Sequence, residues 1–504
     1  MLPHFNRPRE LPLKRLLAGV TGAILVLAGI VLFRTFTYGG SPQGMPVISL
    51  PDAPQISAET GAAHLAEAVR FQTVTYKAGD PAPEDAAPWH DLHRWLETTY
   101  PRVHSTLTLE KVAQLSLLYR WQGSEPTLNP IILMAHQDVV PVNDGTLDDW
   151  SGAPFAGDII DGAIYGRGAL DDKGSLVAIM EAAEALLASG FQPTRTVYLM
   201  FGHDEEVSGS GAQAMVDLLD TRGVRAEMVL DEGFFVIKDS PLTGKAFGFI
   251  GVAEKGYASL QLTAIGAGGH SSNPPRNSAN VRLARAILAL EDHQMKADFS
   301  KPPVSDLFAA AAADMGFAGR MALANLWLFR GVVEAQLAGA GDAMIRTTTA
   351  PTMLKGSVKE NVLPQRATAL VNFRLHPNDT FDELMAHVAN VTAQIEGLEI
   401  APAGNGISSA ASPVSPANNR AFAVLSAVAG AVGDGAPSGP ALVLGGTDAR
   451  WASKISDNVY RFQPSLVSMA EVSGFHGTNE RLSVANMGRM ASGYAQIILA
   501  MDSP

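Results

Sequence analysis

The first long apolar run in the chain is "LLAGVTGAILVLAGIVLF", Leu16 to Phe33, with no charged residue. Eighteen helical residues rise about 27 Å, close to the thickness of a hydrocarbon core. The run is apolar on every face, so a membrane-spanning helix over 16–34 is expected rather than a helix packed on a protein core. Arg7, Arg9, Lys14 and Arg15 precede it, against one acid, Glu10. That asymmetry predicts a single-pass anchor with residues 1–15 cytoplasmic and everything after the span extracytoplasmic. A cleaved signal peptide fits less well, because "TYGGSPQG" is a poor cleavage site. Residues 35–55, rich in Gly, Pro and Ser, are expected to form a linker.

Beyond the linker the pattern alternates between periods. "GAAHLAEAVRF" has helical spacing, and "PIILMA" is a short apolar strand ending at Ala135. "KGSLVAIMEAAEALLAS" places Leu176, Ile179, Met180, Ala183 and Leu187 on one helical face. "TRTVYLMF" and "AEMVL" read as strands, and "SGAQAMVDLLD" between them as a helix. This repetition predicts an α/β domain with a mixed, largely parallel sheet. The period then changes. "YASLQLTAIG" and "ATALVNFRLHP" alternate strictly, as strands wet on one face do. Domain boundaries follow from that switch: a catalytic domain in two parts, 56–252 and 378–504, with an α+β domain inserted at 253–377. "GISSAASPVSPANN" is expected to be an exposed loop.

Composition narrows the chemistry. The formal net charge of the 504 residues is −13, which argues against a nucleic-acid partner. There is no cysteine, so any metal must be held by His, Asp and Glu. "MAHQDVVP" sets His136 and Asp138 on one side of an extended chain just after a strand. His136 can then ligate a metal while Asp138 holds its other ring nitrogen. "GRGALDDKGS" brings Asp171 and Asp172, the latter equally readable as a helix cap. "GHDEEVSGS" brings Glu205 and Glu206, and "VLDEGFF" brings Asp231 and Glu232. Each falls at the carboxyl end of an expected strand, where open α/β sheets build their sites. So many acids on one edge are costly without cations. One or two divalent metals are therefore expected, with Glu206 as a ligand and Glu205 left to handle the proton of a water.

These loops, in this order, resemble the M20 family of metal-dependent peptidases and amidohydrolases. "GRGALDDKG", "GHDEEVSGS", "VLDEGF", "EKG", "GGHSSNPP", "KENVLP", "GGTDAR" and "HGTNE" are similar to its carboxypeptidase S branch, which includes secreted N-acyl amino acid hydrolases. The resemblance implies a zinc-peptidase-like catalytic domain and an inserted lid that carries a homodimer contact. It implies two divalent metals, most simply Zn2+ with Co2+ or Mn2+ as alternatives, held by His136, Asp171, Glu206, an acid of "LDEG" and His476. Of that tetrapeptide's two acids, Asp231 is preferred over Glu232. Asp171 bridges the metals across a peptide to Asp172 that is cis in the family. Asp138 orients His136, and Glu205 is the general base. His270 in the lid is expected to stabilise the oxyanion. Phe373 and Leu375 should face one side of their strand and Asn372 and Arg374 the other; Arg374, Asn361, Thr447 and Arg450 are expected around a substrate carboxylate. The activity implied is hydrolysis of small peptides from the carboxyl end, or alternatively of N-acyl amino acids. A non-catalytic binding protein is disfavoured, since His136, Asp171, Glu205, Glu206 and His476 all stand.

Overall fold

The computed structural model describes residues 13–403 and 409–502. Most of the expected cytoplasmic tail, residues 1–12, lies outside the described residues. A ten-stranded mixed sheet organises the larger part of the protein. Its centre is parallel, with Val197–Gly202, Ile131–His136, Met228–Asp231 and Val459–Arg461 side by side in that order. Antiparallel strands Thr108–Val112 and Ser116–Trp121 close one flank, and Phe247–Glu254 joins antiparallel on the other. The central strands are apolar throughout because both faces are covered. The two-residue period sorts their side chains: Ile131, Leu133 and Ala135 enter one core, Ile132 and Met134 another. Helices Ala58–Val69, Lys173–Ala188, Arg420–Val432 and Val484–Asp502 line the first core, and Ser210–Thr221 with the turn Asp448–Lys454 the second.

Helix Lys173–Ala188 differs from the one-sided stripe expected of it. It is buried nearly all round, because Ala58–Val69, Pro101–Thr106 and Val484–Asp502 pack on what would be its wet face. Leu187 is only partly buried, and Leu186 fills the core instead.

A second, four-stranded antiparallel sheet has the order Thr348–Lys355, Arg366–Leu375, Gly256–Ile265, Leu398–Pro402. Its alternation is strict, with Val371, Phe373 and Leu375 buried and Asn372 and Arg374 on the other side. Helices Ala279–Asp292 and Phe381–Val391 cover the buried face. This unit does not coincide with 253–377. It continues past Pro377 to take in Phe381–Val391 and Leu398–Pro402, while Ala253 and Glu254 still belong to the large sheet. Helix Val304–Ala311, inside the expected insertion, packs on strand Ser438–Val443 of the large sheet through Leu307, Ala310 and Ala311. Period alone could not reveal this, since a helix shows that it has an apolar face but not which sheet receives it. Ser415, within the loop expected to be exposed, is buried and donates to the Val459 carbonyl at 2.9 Å. Residues 406–408 of that loop lie outside the described residues.

The N-terminal apolar run is a helix from Leu13 to Thr37, longer at both ends than 16–34. The expected linker is not a free tether. Its first three residues are helical, and Met45, Ile48, Leu50 and Ala53 pack against the main core.

Where the chain leaves the large sheet, Glu254 is buried and takes three hydrogen bonds. Arg461 Nε donates to Oε1 at 2.6 Å, the Thr447 hydroxyl to Oε1 at 2.6 Å and the Thr447 amide to Oε2 at 3.1 Å. Replacing Arg461 with Met would strip Glu254 of its cation inside the protein. Such a change costs about 3–5 kcal/mol. Denaturant unfolding followed by near-UV circular dichroism should show a clearly lowered midpoint for Arg461→Met. An unchanged midpoint would mean the pair contributes nothing to holding this junction.

Candidate metal centre

The parallel strands deliver their ends to one edge, so His136, Gly202 and Asp231 close three neighbouring strands. Asp171 comes from the loop before helix Lys173–Ala188, and its peptide to Asp172 is cis. That loop is wrapped around one buried carboxylate. Glu480 Oε1 accepts the amides of Gly168, Leu170 and Asp171 at 3.0, 2.9 and 3.1 Å, and Arg167 Nη1 donates to Oε2 at 2.6 Å. Arg167 also donates to the carbonyls of His476 and Gly477. Glu480 and Arg167 thus tie the Asp171 loop to the segment bearing His476, which itself has φ 55°.

Asp171 faces two histidines, one with each oxygen. His136 Nε2 lies 2.9 Å from Oδ1, and His476 Nε2 lies 2.8 Å from Oδ2. His476 Nε2 is also 3.2 Å from Glu206 Oε2. Two ligand sets result, His136–Asp171–Glu232 and Asp171–Glu206–His476, each with donor atoms within 4.8 Å of one another. Glu206 Oε1 and Glu232 Oε2 are buried and accept no hydrogen bond. Buried carboxylate oxygens without partners are costly, and a cation between them removes the cost. Burial, then the neighbouring Asp171 charge, pushes both Glu206 and Glu232 above the usual carboxylate range. His476 is raised to about 10, by its hydrogen bonds to Asp171 and then Glu206. These residues fit a pair of divalent cations sharing Asp171, with oxygen and imidazole donors only.

Within "LDEG" the geometry favours Glu232 over the expected Asp231. Asp231 Oδ1 accepts the Glu232 amide at 3.0 Å and Oδ2 the Ala449 amide at 2.7 Å, so its carboxylate is engaged with backbone. Glu232 projects into the cluster instead. Spacing could not separate them, because adjacent residues at a strand end point apart and the sequence does not say which side is the cavity. Asp172 occupies the N-cap position of helix Lys173–Ala188 but its side chain makes no capping bond; its Oδ1 accepts from Gln463 Nε2 at 2.7 Å instead.

Asp138 does more than the sequence suggested. His136 Nδ1 meets the Asp138 carbonyl at 2.9 Å and its carboxylate at 3.4 Å. The same carboxylate accepts the amides of Glu205 and Glu206 at 3.0 and 3.2 Å and the Thr75 hydroxyl at 2.8 Å. One side chain thereby aligns both glutamates with His136. Burial pushes Glu205 well above its usual value; His136 opposes the shift, and the charges of Asp448, Glu206 and Asp171 add to it. Asp448 was missed by sequence reasoning, although it lies in "GGTDAR". Both its oxygens are buried without a hydrogen bond. It sits against Gly202 and Gly209, the latter at φ 64°, where any side chain would collide with it. Glu480 was likewise quoted only as the end of "HGTNE".

The other expected residues stand apart from this cluster. His270 is exposed on the smaller sheet unit, its Nδ1 2.8 Å from Ser272 Oγ. Asn361 is beside it, accepting the Ser271 amide on its carbonyl at 3.1 Å, with its own Oδ1 buried and unpaired. Arg374 lies over the Tyr257 ring at 5.0 Å. Thr447 is engaged with Glu254, and Arg450 donates to the Ser208 carbonyl at 2.9 Å.

Residues 132–500 match the profile of "Peptidase family M20/M25/M40". The chain is 33% identical over 498 residues to N-fatty-acyl-amino acid synthase/hydrolase PM20D1 of Xenopus tropicalis, covering 97% of this chain and 95% of that one. It is 30% identical to Carboxypeptidase S of Saccharomyces cerevisiae, over 86% of this chain and 83% of that one. Among solved structures, the M20 family metallo-carboxypeptidase Sso-CP2 from Sulfolobus solfataricus has the same fold. Its TM-score is 0.61 at 18% identity, covering 88% of this chain and 99% of that one.

The two acids of "LDEG" should separate on substitution. Glu232→Gln removes an anionic donor and is expected to weaken metal binding at least about tenfold. Asp231→Asn should retain metal while losing stability, because its amide group cannot accept both backbone N–H groups as well. Metal stoichiometry by atomic spectroscopy, with a parallel unfolding curve, distinguishes the two. Loss of metal in Asp231→Asn alone would restore the original choice.

Proposed function

The chain belongs to the M20/M25/M40 peptidase family and is a hydrolase of amide bonds; from that premise we propose that it cleaves the amide joining an acyl group to an amino acid with a free carboxylate. The observation that carries this is Asp171 shared between two histidine–carboxylate sets. His136, Asp171 and Glu232 would hold one divalent cation and Asp171, Glu206 and His476 the other, Zn2+ being the simplest fit. When bound, such a pair supplies Lewis acidity that polarises the amide carbonyl and makes water a stronger acid.

The protein's own groups do the rest. Glu205 has its amide fixed by Asp138 and a carboxyl with raised proton affinity. It takes a proton from water and later delivers it to the leaving nitrogen. His270 pairs with Val362, next to Asn361, and His270 and Asn361 are assigned to the developing oxyanion. Arg374 is assigned to the substrate carboxylate. Thr447 and Arg450, held by Glu254 and Ser208, shape the far wall. The acyl-side reading favours N-acyl amino acids over short peptides, since PM20D1 of Xenopus tropicalis aligns over nearly the full length of both chains. The N-terminal helix, apolar and exposed, is assigned to a membrane with the catalytic part outside the cytoplasm. A homodimer along the edge strand Thr348–Lys355, where Met353 and Leu354 are exposed, belongs to the same reading.

Adjacent glutamates should fail in different ways. Glu205→Gln keeps the shape of the site and should retain metal while losing about 10²–10⁴-fold in turnover. Glu206→Gln should lose metal itself. Both are measured by metal content and by hydrolysis of a panel of N-acyl amino acids and dipeptides. Metal loss in Glu205→Gln with full activity in Glu206→Gln would interchange the roles; full activity in both would move the site elsewhere.

A further inference from the structure

Helices Phe317–Ala324 and Leu326–Gln336 form a hairpin that is apolar on its outer face as well as on the inner one, where Leu323 and Val333 enter a core. Leu328, Val332 and Ala335 follow helical spacing and are all exposed, as are Phe317 and Trp327. Trp327 is 56% and Val332 59% exposed. A soluble helix turns such a stripe inward and its charges outward. Here the few charges are half-buried and bonded within the protein. The only charged residues from 317 to 336 are Arg320, Arg330 and Glu334. Arg330 Nε donates to Glu334 Oε1 at 2.6 Å, and its guanidinium covers the Phe299 ring at 5.5 Å. Arg320 donates to the carbonyls of Phe36 and Tyr38.

The N-terminal helix docks on this same hairpin. Arg34 Nε donates to the Ala324 carbonyl at 3.0 Å. Asn325, fully buried, donates to the Val31 carbonyl and to Thr35 Oγ1, both at 3.3 Å. The Phe36 and Phe317 rings are 6.0 Å apart. Beyond that seam Ile30, Leu32, Phe33 and Phe36 remain exposed. The apolar surface of the helix therefore adjoins that of the hairpin, with Arg34 and Arg320 bonded to backbone carbonyls at the seam.

We propose that Phe317–Gln336 seats in the boundary between headgroups and acyl chains of the bilayer entered by the N-terminal helix. The catalytic unit then rests on the membrane instead of hanging from a tether. The proposal rests on the membrane assignment of Leu17–Thr37. A second protein copy would cover one patch, whereas a helix exposed on nearly all sides together with an adjoining hairpin needs an apolar solvent. Trp327 suits that depth, having an apolar ring and an N–H that stays hydrated.

The chain lacks cysteine, so a single introduced thiol labels one position only. Full-length Val332→Cys, Ala335→Cys, Leu25→Cys and Thr221→Cys proteins would carry an environment-sensitive fluorophore in phosphatidylcholine–phosphatidylglycerol vesicles. Circular dichroism would check the fold of each. Labels at 332, 335 and 25 should shift to the blue and brighten severalfold, then lose most of that emission to nitroxide-bearing lipid. The label at 221, exposed at the end of helix Ser210–Thr221, should stay water-like. Quenching at 25 with water-like emission at 332 and 335 overturns the hairpin proposal and leaves the span intact. Absence of quenching at 25 as well as at 332 and 335 overturns both. Labels at 332 and 335 that are shielded yet untouched by nitroxide lipid overturn it in favour of a second copy.

Discussion

Repulsion among carboxylates governs the catalytic edge of this protein. Asp171, Glu205, Glu206, Asp231, Glu232 and Asp448 converge where three parallel strands end, and most are buried. The fold meets that repulsion in two ways. Backbone amides absorb Asp231 and the carboxylate of Asp138, while His136 and His476 bracket Asp171. Glu206, Glu232 and Asp448 are left with buried oxygens that accept no hydrogen bond among the described residues. The site is thus shaped for cations by a deficit of donors, not by an excess of acids alone.

Holding that deficit in place takes buried ion pairs away from the ligands. Glu480 with Arg167 fixes the Asp171 loop to the His476 segment through three amides and a short charge-assisted bond. Glu254 with Arg461 and Thr447 fixes the point at which the chain leaves the large sheet. Both pairs are desolvated, so their value lies in geometry more than in net stability. Lys255, next along, is pushed down to about 7 by burial and donates to the carbonyls of Ala343 and Arg346. The crossing between the two sheets is therefore bonded on either side of Lys255.

The section between the sheets has two allegiances. Its long strands build the small sheet with Arg374, and helix Ala279–Asp292 covers that sheet, whereas helix Val304–Ala311 packs on the large sheet and helix Phe317–Ala324 on the N-terminal helix. That division links the apolar N-terminus to the catalytic unit by specific hydrogen bonds at Arg34, Arg320 and Asn325.

Much was legible along the chain. Apolar runs marked the central strands, strict alternation marked the small sheet, and strand-terminal acids marked the edge where chemistry gathers. His136, Asp138, Glu205 and Glu206 were picked out by strand ends and motif, Asp171 by its motif, and His476 by the family resemblance alone; the structure brings these six side chains together. The remainder depended on which surfaces meet. Glu232 rather than Asp231 faces the cluster because the Ala449 amide, 218 residues away, claims Asp231. Leu398–Pro402 joins the small sheet because edge pairing is non-local, and no residue pattern names a partner strand. Asp448 and Glu480 looked like ordinary motif acids until folding removed their water. Periodicity reports what each side chain prefers; only the tertiary structure decides which preferences are satisfied together and which are left open for a metal or a membrane.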